Sequence, residues 1–195
     1  ASVAAWVILA LALAALLSSM AGVPAHAGST PQVIRFTQPQ NRTYGVAPFQ
    51  ISATASSGLA VAIASLTTAV CKASGTSVSV VAAGTCSLRA SQAGDATFAP
   101  AIAIERSFAV AKAAQTITFS LPASVTFGGA PIVLSAVSSA GLQVVLASAT
   151  PSICEIVGVT LKIAGAGTCE VKATQSGNGN YNAAAAAALA SAPGT

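Results

Sequence analysis

The chain has 195 residues and a formal net charge of +4, yet only 6% of its residues are charged. Its basic side chains are scattered singly along the sequence, so the clustered basic surface that nucleic-acid-binding proteins use is not predicted. The few acidic residues and the single His do not form a motif typical of a catalytic or metal-binding site.

The N-terminal segment predicts an export signal. An apolar run over residues 3–17 is followed by Gly22 and Pro24 and then by the small-residue stretch that ends at Ala27. This order is typical of a secretory signal peptide with an Ala-x-Ala cleavage site, although the basic start of such a peptide is missing. The apolar run is shorter than the roughly 20 residues of a membrane span. We therefore favour cleavage after Ala27 over the alternative, a retained membrane anchor.

Cleavage after Ala27 would also remove His26 from the mature chain. A chain without His cannot form a Ser-His-Asp relay, and it lacks the commonest metal ligand. The remaining side-chain acids do not recur in both copies of the repeat described next; they are Asp95, Glu105, Glu155 and Glu170. We predict a secreted or cell-surface protein that is not an enzyme, binds no cofactor or metal, and meets a membrane only through its export signal.

The chain repeats itself. When it is shifted by 83 positions, Cys71 falls on Cys154 and Cys86 falls on Cys169. About 39% of the positions from 32 to 101 are then identical, without a gap, as expected for an array of one small domain. We predict a signal peptide at residues 1–27, a first domain at 28–112 and a second domain at 113–195.

Alternation of apolar and polar residues predicts short strands in each copy. In the first copy Ile34 and Phe36 are expected to face inwards, and Phe49, Ile51 and Ala53 share the inward face of the next strand. Turn residues recur about every eight to twelve positions, which is typical of a sandwich or barrel.

Residues 70–90 have the most regular alternation, and the second copy preserves it. The residues predicted to face inwards are Val78, Val80, Cys86, Leu88 and Ala90 in the first copy, and Val159, Leu161 and Ile163 in the second. Because the pattern survives substitution, we interpret it as a packing constraint.

The four cysteines fit an oxidising compartment. Pairing within each copy, Cys71 with Cys86 and Cys154 with Cys169, is the simplest connectivity. Buried free thiols remain an alternative. A zinc site is disfavoured because the Cys-x-x-Cys spacing is lacking and no His completes a ligand set.

The cysteine spacing also bears on topology. Strands that are next but one in a sheet lie about 9.5 Å apart, whereas bonded cysteines need Cα atoms about 4.4 to 6.8 Å apart. If Cys71 and Cys86 are bonded, we expect their strands to lie in opposite sheets of a sandwich.

The end of the second copy departs from the first. Residues 183–188 are all Ala, and Ala favours helix over strand. The last strand of the second domain is therefore in doubt, and we expect a degenerate or truncated C-terminal strand. A sandwich that lacks its last strand leaves a sheet edge open to pairing. Together with the missing start of the signal peptide, this suggests a fragment of a longer array.

Three further positions have more than one interpretation. Asp95 and its counterpart Asn178 are interpreted as turn residues and not as calcium ligands, because calcium needs several carboxylates at once. Phe98 and Tyr181 follow that turn and are predicted to cap the two cores, with ligand stacking as the alternative. Asn41 begins a triplet with the form of a glycosylation sequon, a pattern that occurs often by chance.

Several segments of the second copy together resemble a known family. They are Gln-Thr-Ile-Thr-Phe at 115–119, Val-Thr-Phe-Gly-Gly-Ala-Pro at 125–131, Ser-Ala-Gly-Leu at 139–142, Ser-Ile-Cys at 152–154, Ala-Gly-Thr-Cys at 166–169 and Gly-Asn-Gly-Asn-Tyr at 177–181. The set resembles bacterial immunoglobulin-like (Big-type) repeats, closest to the cysteine-containing kind in tandem arrays of exported, adhesin-like surface proteins. The resemblance implies an all-β fold of two tandem immunoglobulin-like Greek-key sandwiches after the signal helix, and no catalytic residues.

These observations favour a structural or adhesive module that acts as a stalk or spacer in an exported bacterial surface protein. The alternative is a carbohydrate-binding or accessory module of a secreted enzyme. It is less favoured because the mature chain would contain no Trp, and Tyr44 and Tyr181 are its only tyrosines. Expected partners are neighbouring Ig-like repeats and other surface proteins or glycans, but not nucleic acid.

Overall fold

The structure is a computed structural model that describes residues 29–193. The predicted signal peptide lies outside the described residues. Within residues 29–193 every regular element is a β-strand. Over the same range, no helix is long and apolar enough to span a bilayer.

The first sandwich is built from nine strands. They are β1 (Ile34–Phe36), β2 (Arg42–Thr43), β3 (Phe49–Gln50), β4 (Ala53–Ala55), β5 (Ala62–Ser65), β6 (Cys71–Ser74), β7 (Ser77–Val80), β8 (Gly84–Ser91) and β9 (Ile104–Ala111). One sheet has the order β2-β9-β8-β5; strands β3-β7-β6 and the pair β1-β4 form the other side. All pairs are antiparallel except β2 with β9.

The second sandwich repeats this plan with nine more strands. They are β10 (Ile117–Phe119), β11 (Ser124–Val125), β12 (Ile132–Val133), β13 (Ala136–Ser138), β14 (Val145–Ser148), β15 (Cys154–Val157), β16 (Thr160–Ile163), β17 (Cys169–Thr174) and β18 (Ala187–Pro193). The strand orders are β11-β18-β17-β14, β12-β16-β15 and β10-β13. The predicted fold class, two tandem immunoglobulin-like β-sandwiches, is confirmed.

Each sandwich has its own hydrophobic cluster, and the period-two pattern predicts which side chains enter it. Ile34 and Phe36 are each 5% exposed, whereas Val33, the residue before Ile34, is 61% exposed. Leu88 in β8 and Leu161 in β16 are wholly buried. The two clusters have no member in common, so each half of the chain buries its own core.

Two local predictions need correction. The segment around Phe49 and Ala53 forms two strands instead of one, because β3 pairs with β7 while β4 pairs with β1. Val159 does not face inwards but is 50% exposed. It follows Gly158, which has a positive φ of 63° in the turn between β15 and β16, so the inward alternation begins only after that turn.

The last strand of the second sandwich, which the sequence left in doubt, is formed. Strand β18 pairs antiparallel with β17 and parallel with β11. Ser191 in β18 is wholly buried and donates a hydrogen bond to the carbonyl of Pro122 at 2.8 Å. Pairing on two sides supplies the backbone hydrogen bonds that offset the weak strand propensity of Ala.

Candidate functional site: the cross-sheet disulfides and the junction between the sandwiches

A disulfide crosses the core of each sandwich. Cys71 of β6 is bonded to Cys86 of β8, and Cys154 of β15 is bonded to Cys169 of β17. The Cα atoms are 5.7 and 5.6 Å apart, and all four cysteines are wholly buried. Each bond joins strands of opposite sheets, and both Cα separations lie within the range of about 4.4 to 6.8 Å that a disulfide needs. Closing a loop of this length stabilises a domain by about 3 kcal/mol in the chain-entropy model.

A Ser and a Thr hydroxyl lie against the first cysteine of each disulfide in both copies. The Thr67 hydroxyl accepts a hydrogen bond from the backbone N–H of Ser87 at 2.9 Å, and Thr150 accepts one from Glu170 at 2.9 Å. These bonds tie the loop before each first cysteine to the strand that carries the second. The sequence reasoning missed both threonines. The available signal was their identity in the two copies, which lie in register.

A buried glutamine fastens the start of each sandwich to a loop near its end. Gln115 is 6% exposed, and its amide nitrogen donates to Gln175 Oε1 at 2.5 Å and to the carbonyl of Asn182 at 2.7 Å. Gln175 Oε1 in turn accepts from the backbone N–H of Gly177 at 2.5 Å. Gln32 makes the matching contacts in the first sandwich. This cluster was not predicted from the sequence, because Gln is mostly exposed in proteins; the available signal was again that both glutamines recur in register in the second copy.

Each of the loops that these glutamines hold contains a turn that begins at Asp95 in the first sandwich and at Asn178 in the second. The Asp95 carboxylate accepts hydrogen bonds from the backbone N–H groups of Thr97 and Phe98 at 2.7 and 2.8 Å. The bond from Phe98 and then that from Thr97 lower the pKa of the exposed Asp95 carboxyl. Asn178 accepts the equivalent pair of bonds from Asn180 and Tyr181. Both residues act as turn residues.

The second of these loops contacts the first sandwich. The ring of Tyr181 packs edge-on against the ring of Tyr44, with centroids 5.4 Å apart and an interplanar angle of 83°. The Asn180 side-chain oxygen accepts a hydrogen bond from the backbone N–H of Ala83 at 2.9 Å. Tyr181 therefore does not simply cap its own core, as predicted, but packs on a side chain of the other sandwich.

The connection between the sandwiches is short. Strand β9 ends at Ala111, and Ala113 already exchanges backbone hydrogen bonds with Asn180 and Asn182. Lys112 between them donates from Nζ to the carbonyl of Asn178 at 2.7 Å. A single residue thus separates the two sandwiches, and its side chain is fastened to the contacting loop.

The acidic residues do not assemble into a site. In the strand register Glu105 lies opposite Arg89, and Glu155 lies opposite Lys162. Glu170 lies opposite Ala190 in β18. In the part of the chain that the structure describes, no three His, Cys, Asp or Glu side chains are grouped so that they could hold a metal ion.

Comparison with known proteins gives no family assignment. No protein-family model and no curated protein matches the chain. Among solved structures, domains 1–6 of the surface layer protein SbsC are 15% identical over 75% of this chain and 24% of that chain, with a TM-score of 0.33. Drosophila N-cadherin EC1–4 is 13% identical over 84% of this chain and 51% of that chain, with a TM-score of 0.34.

A third solved structure is the C-terminal 282-residue fragment of intimin, in complex with the intimin-binding domain of the translocated intimin receptor. It is 13% identical over 82% of this chain and 63% of that chain, with a TM-score of 0.31. The chain thus spans about a quarter to under two thirds of these proteins' lengths. At these TM-scores the similarity assigns no function.

Proposed function

We propose that the chain is a non-catalytic spacer in an exported bacterial surface protein, built from two cysteine-containing bacterial Ig-like domains at residues 28–112 and 113–195. Its task is to hold an attached binding region at a fixed distance and angle from the cell surface. The neighbouring Ig-like repeats of the same protein are its expected partners.

The junction is the observation that carries this proposal. A spacer transmits position only if its modules keep one orientation, and interfaces between domains of one chain otherwise allow relative motion. Here a one-residue linker, the Tyr44–Tyr181 ring contact and the Asn180–Ala83 hydrogen bond all restrict that motion. An edge-to-face aromatic pair contributes about 0.5 to 1.5 kcal/mol beyond its area burial.

The disulfide in each core also supports a mechanical role. Each cross-sheet disulfide lies inside one sandwich, so a stretched domain could extend only as far as the bond allows. Oxidising surroundings outside the cell preserve such bonds. This is the compartment that the predicted signal peptide implies.

The proposal is tested by measuring residual dipolar couplings of the mature chain, residues 28–195. We expect one alignment tensor to fit both sandwiches. In the double variant Tyr44→Ala with Asn180→Ala, two different tensors should be needed, because both junction contacts are lost. Tyr44→Phe is the matched control, since it keeps the ring and the second copy has Phe127 at this position. Independent tensors in the unmodified chain would rule out a rigid spacer.

A further inference from the structure

The first sandwich contains an open pocket that the spacer role does not use. It has a volume of about 260 Å³ and lies beside the short strands β2 and β3. Residues 37–40, Arg42 and residues 49–52 line it. Pockets for drug-sized ligands have volumes of about 300 to 1,000 Å³, so this one suits a smaller ligand, about the size of one sugar ring.

A cation is held in place beside this pocket. The guanidinium carbon of Arg42 lies 4.4 Å from the centroid of the Phe49 ring. Phe49 is itself packed edge-on against Phe108, with centroids 5.8 Å apart, and Phe108 is 3% exposed. This contact with an aromatic face that packs against the core restricts the position of the guanidinium before any ligand arrives.

The guanidinium of Arg42 has no hydrogen-bond partner within the described part of the protein. A guanidinium has five N–H donors and no acceptor, and among the described residues Arg42 forms no ion pair or side-chain hydrogen bond. Its Nε is buried without a partner. The exposed donors of the group have no protein partner, so an acceptor that enters the pocket can form a charge-assisted hydrogen bond with them.

Other polar groups of the pocket suit hydroxyl groups on the same ligand. Gln50 uses its side-chain oxygen to accept from Thr76 at 2.7 Å, which orients its amide. Thr37 and Ser52 add hydroxyls that can both donate and accept. No side-chain acid lines the pocket, so nothing there repels an anion.

The second sandwich shows that the fold does not require these polar residues. Val125 stands at the position of Arg42 and is 5% exposed, inside the second hydrophobic cluster. Val133 stands at the position of Gln50. The first copy therefore has a partly buried charge at a strand position where the second copy has an apolar residue with the same pairing.

We propose that this pocket binds the carboxylate of an acidic sugar, such as a uronic acid residue at the end of a glycan. The carboxylate would lie against the Arg42 guanidinium in the charge-assisted geometry that this planar group favours. The Gln50 amide and the hydroxyls of Thr37 and Ser52 would meet the hydroxyl groups of the sugar ring.

The test is an NMR titration of the mature chain with sodium glucuronate, followed through the Arg42 Nε–H and the amide signals of residues 37–52. We expect saturable shifts in the pocket and none near Val125. Glucose, which lacks the carboxylate, should bind at least about tenfold more weakly, because a hydrogen bond to a charged group is lost.

The variant Arg42→Val copies the second sandwich and should weaken glucuronate binding by about tenfold or more, with unchanged dispersion of the core signals. Gln50→Val copies Val133, keeps Arg42 and should weaken binding less. Absent shifts, shifts that persist in Arg42→Val, or equal binding of glucose would overturn the proposal. Stronger shifts with a glutamate-containing peptide or with acetate would also overturn it, in favour of a protein partner or a simple anion.

Discussion

Gln32 and Gln115 occupy equivalent positions, but their side-chain amide oxygens accept hydrogen bonds from serines at non-equivalent positions. Ser57 donates to Gln32 at 2.5 Å, whereas Ser138 donates to Gln115 at 2.6 Å. Ser138 is equivalent to Ala55, and Ser57 is equivalent to Ala140. Since a buried amide left unpaired costs about 1 to 3 kcal/mol, what both copies preserve is a donor near this atom and not a residue at one position.

At the same scale, Asp95 gives a prediction for pH dependence. Its pKa is lowered in the folded state by backbone hydrogen bonds, so the unfolded chain binds its proton more readily. Its stabilising contribution is present above the unfolded pKa, about 3.9 for an Asp, and is lost as the pH falls through the folded pKa. Thermal unfolding between pH 5 and pH 2 should show this loss in the unmodified chain.

Asp95→Asn is the matched variant for that prediction, because Asn178 makes the same turn without a titrating group. It should reduce the acid sensitivity of the first sandwich and leave the second unchanged. Identical pH profiles for variant and unmodified chain would contradict the role given to the two backbone bonds.

Gly177 gives a second prediction at this scale. Its φ is +77°, and an added Cβ would overlap the carbonyl oxygen of Tyr181. Gly177→Ala should therefore cost more than the roughly 1 to 2 kcal/mol of a left-handed non-glycine residue, as measured by denaturant unfolding.

Gly141→Ala is the control, because Gly141 has a similar φ of +70° and its added Cβ would meet nothing within 4 Å. Gly141→Ala should lower the free energy of unfolding only by the cost of placing a non-glycine residue in the left-handed conformation. Equal losses in the two variants would show that the contact with the Tyr181 carbonyl does not matter.

Strand β18 shows at the scale of an element how pairing overrides propensity. Its residues Ala187–Pro193 are poor in strand-forming side chains, yet β17 pairs with them from Cys169 to Ala173. Strand β17 is buried at Cys169, Val171 and Ala173. A central strand of this kind needs a partner on each side for its backbone groups.

Truncation tests this dependence. A chain that ends at Ala186 should lose the folded amide signals of the second sandwich and keep those of the first, because the two hydrophobic clusters share no residue. A chain that ends at Pro193 is the control and should keep both sets. A second sandwich that stays folded without β18 would show that the strand is dispensable.

For the whole molecule, separate cores and separate disulfides predict additive stability. The double variants Cys71→Ala with Cys86→Ala and Cys154→Ala with Cys169→Ala should each lower the free energy of unfolding of their own sandwich by about 3 kcal/mol. Sites in separate cores act independently, so combining the pairs should shift both unfolding transitions by the single-pair amounts. Calorimetry of the four chains measures this. Strong coupling would instead indicate that the two sandwiches unfold as one unit.

The sequence by itself determined the repeat, the class of fold and most inward-facing residues. Ile34, Phe36 and Leu88 could be placed because period-two burial is a local property of a strand. Val159 was misplaced because the turn at Gly158 interrupts that period.

Only the tertiary structure decided the pairing of β18, the burial of Gln32 and Gln115, and the contact of Tyr44 with Tyr181. The family resemblance rests on sequence segments near some of these residues, but it does not show which side chains contact each other. The amide contacts of both glutamines with the later loops, the pairing of β18 with β11 and the ring contact each join residues that are 60 or more positions apart in the chain. Local propensity carries no information about such partners, because they are brought together only when the sheets close around a core.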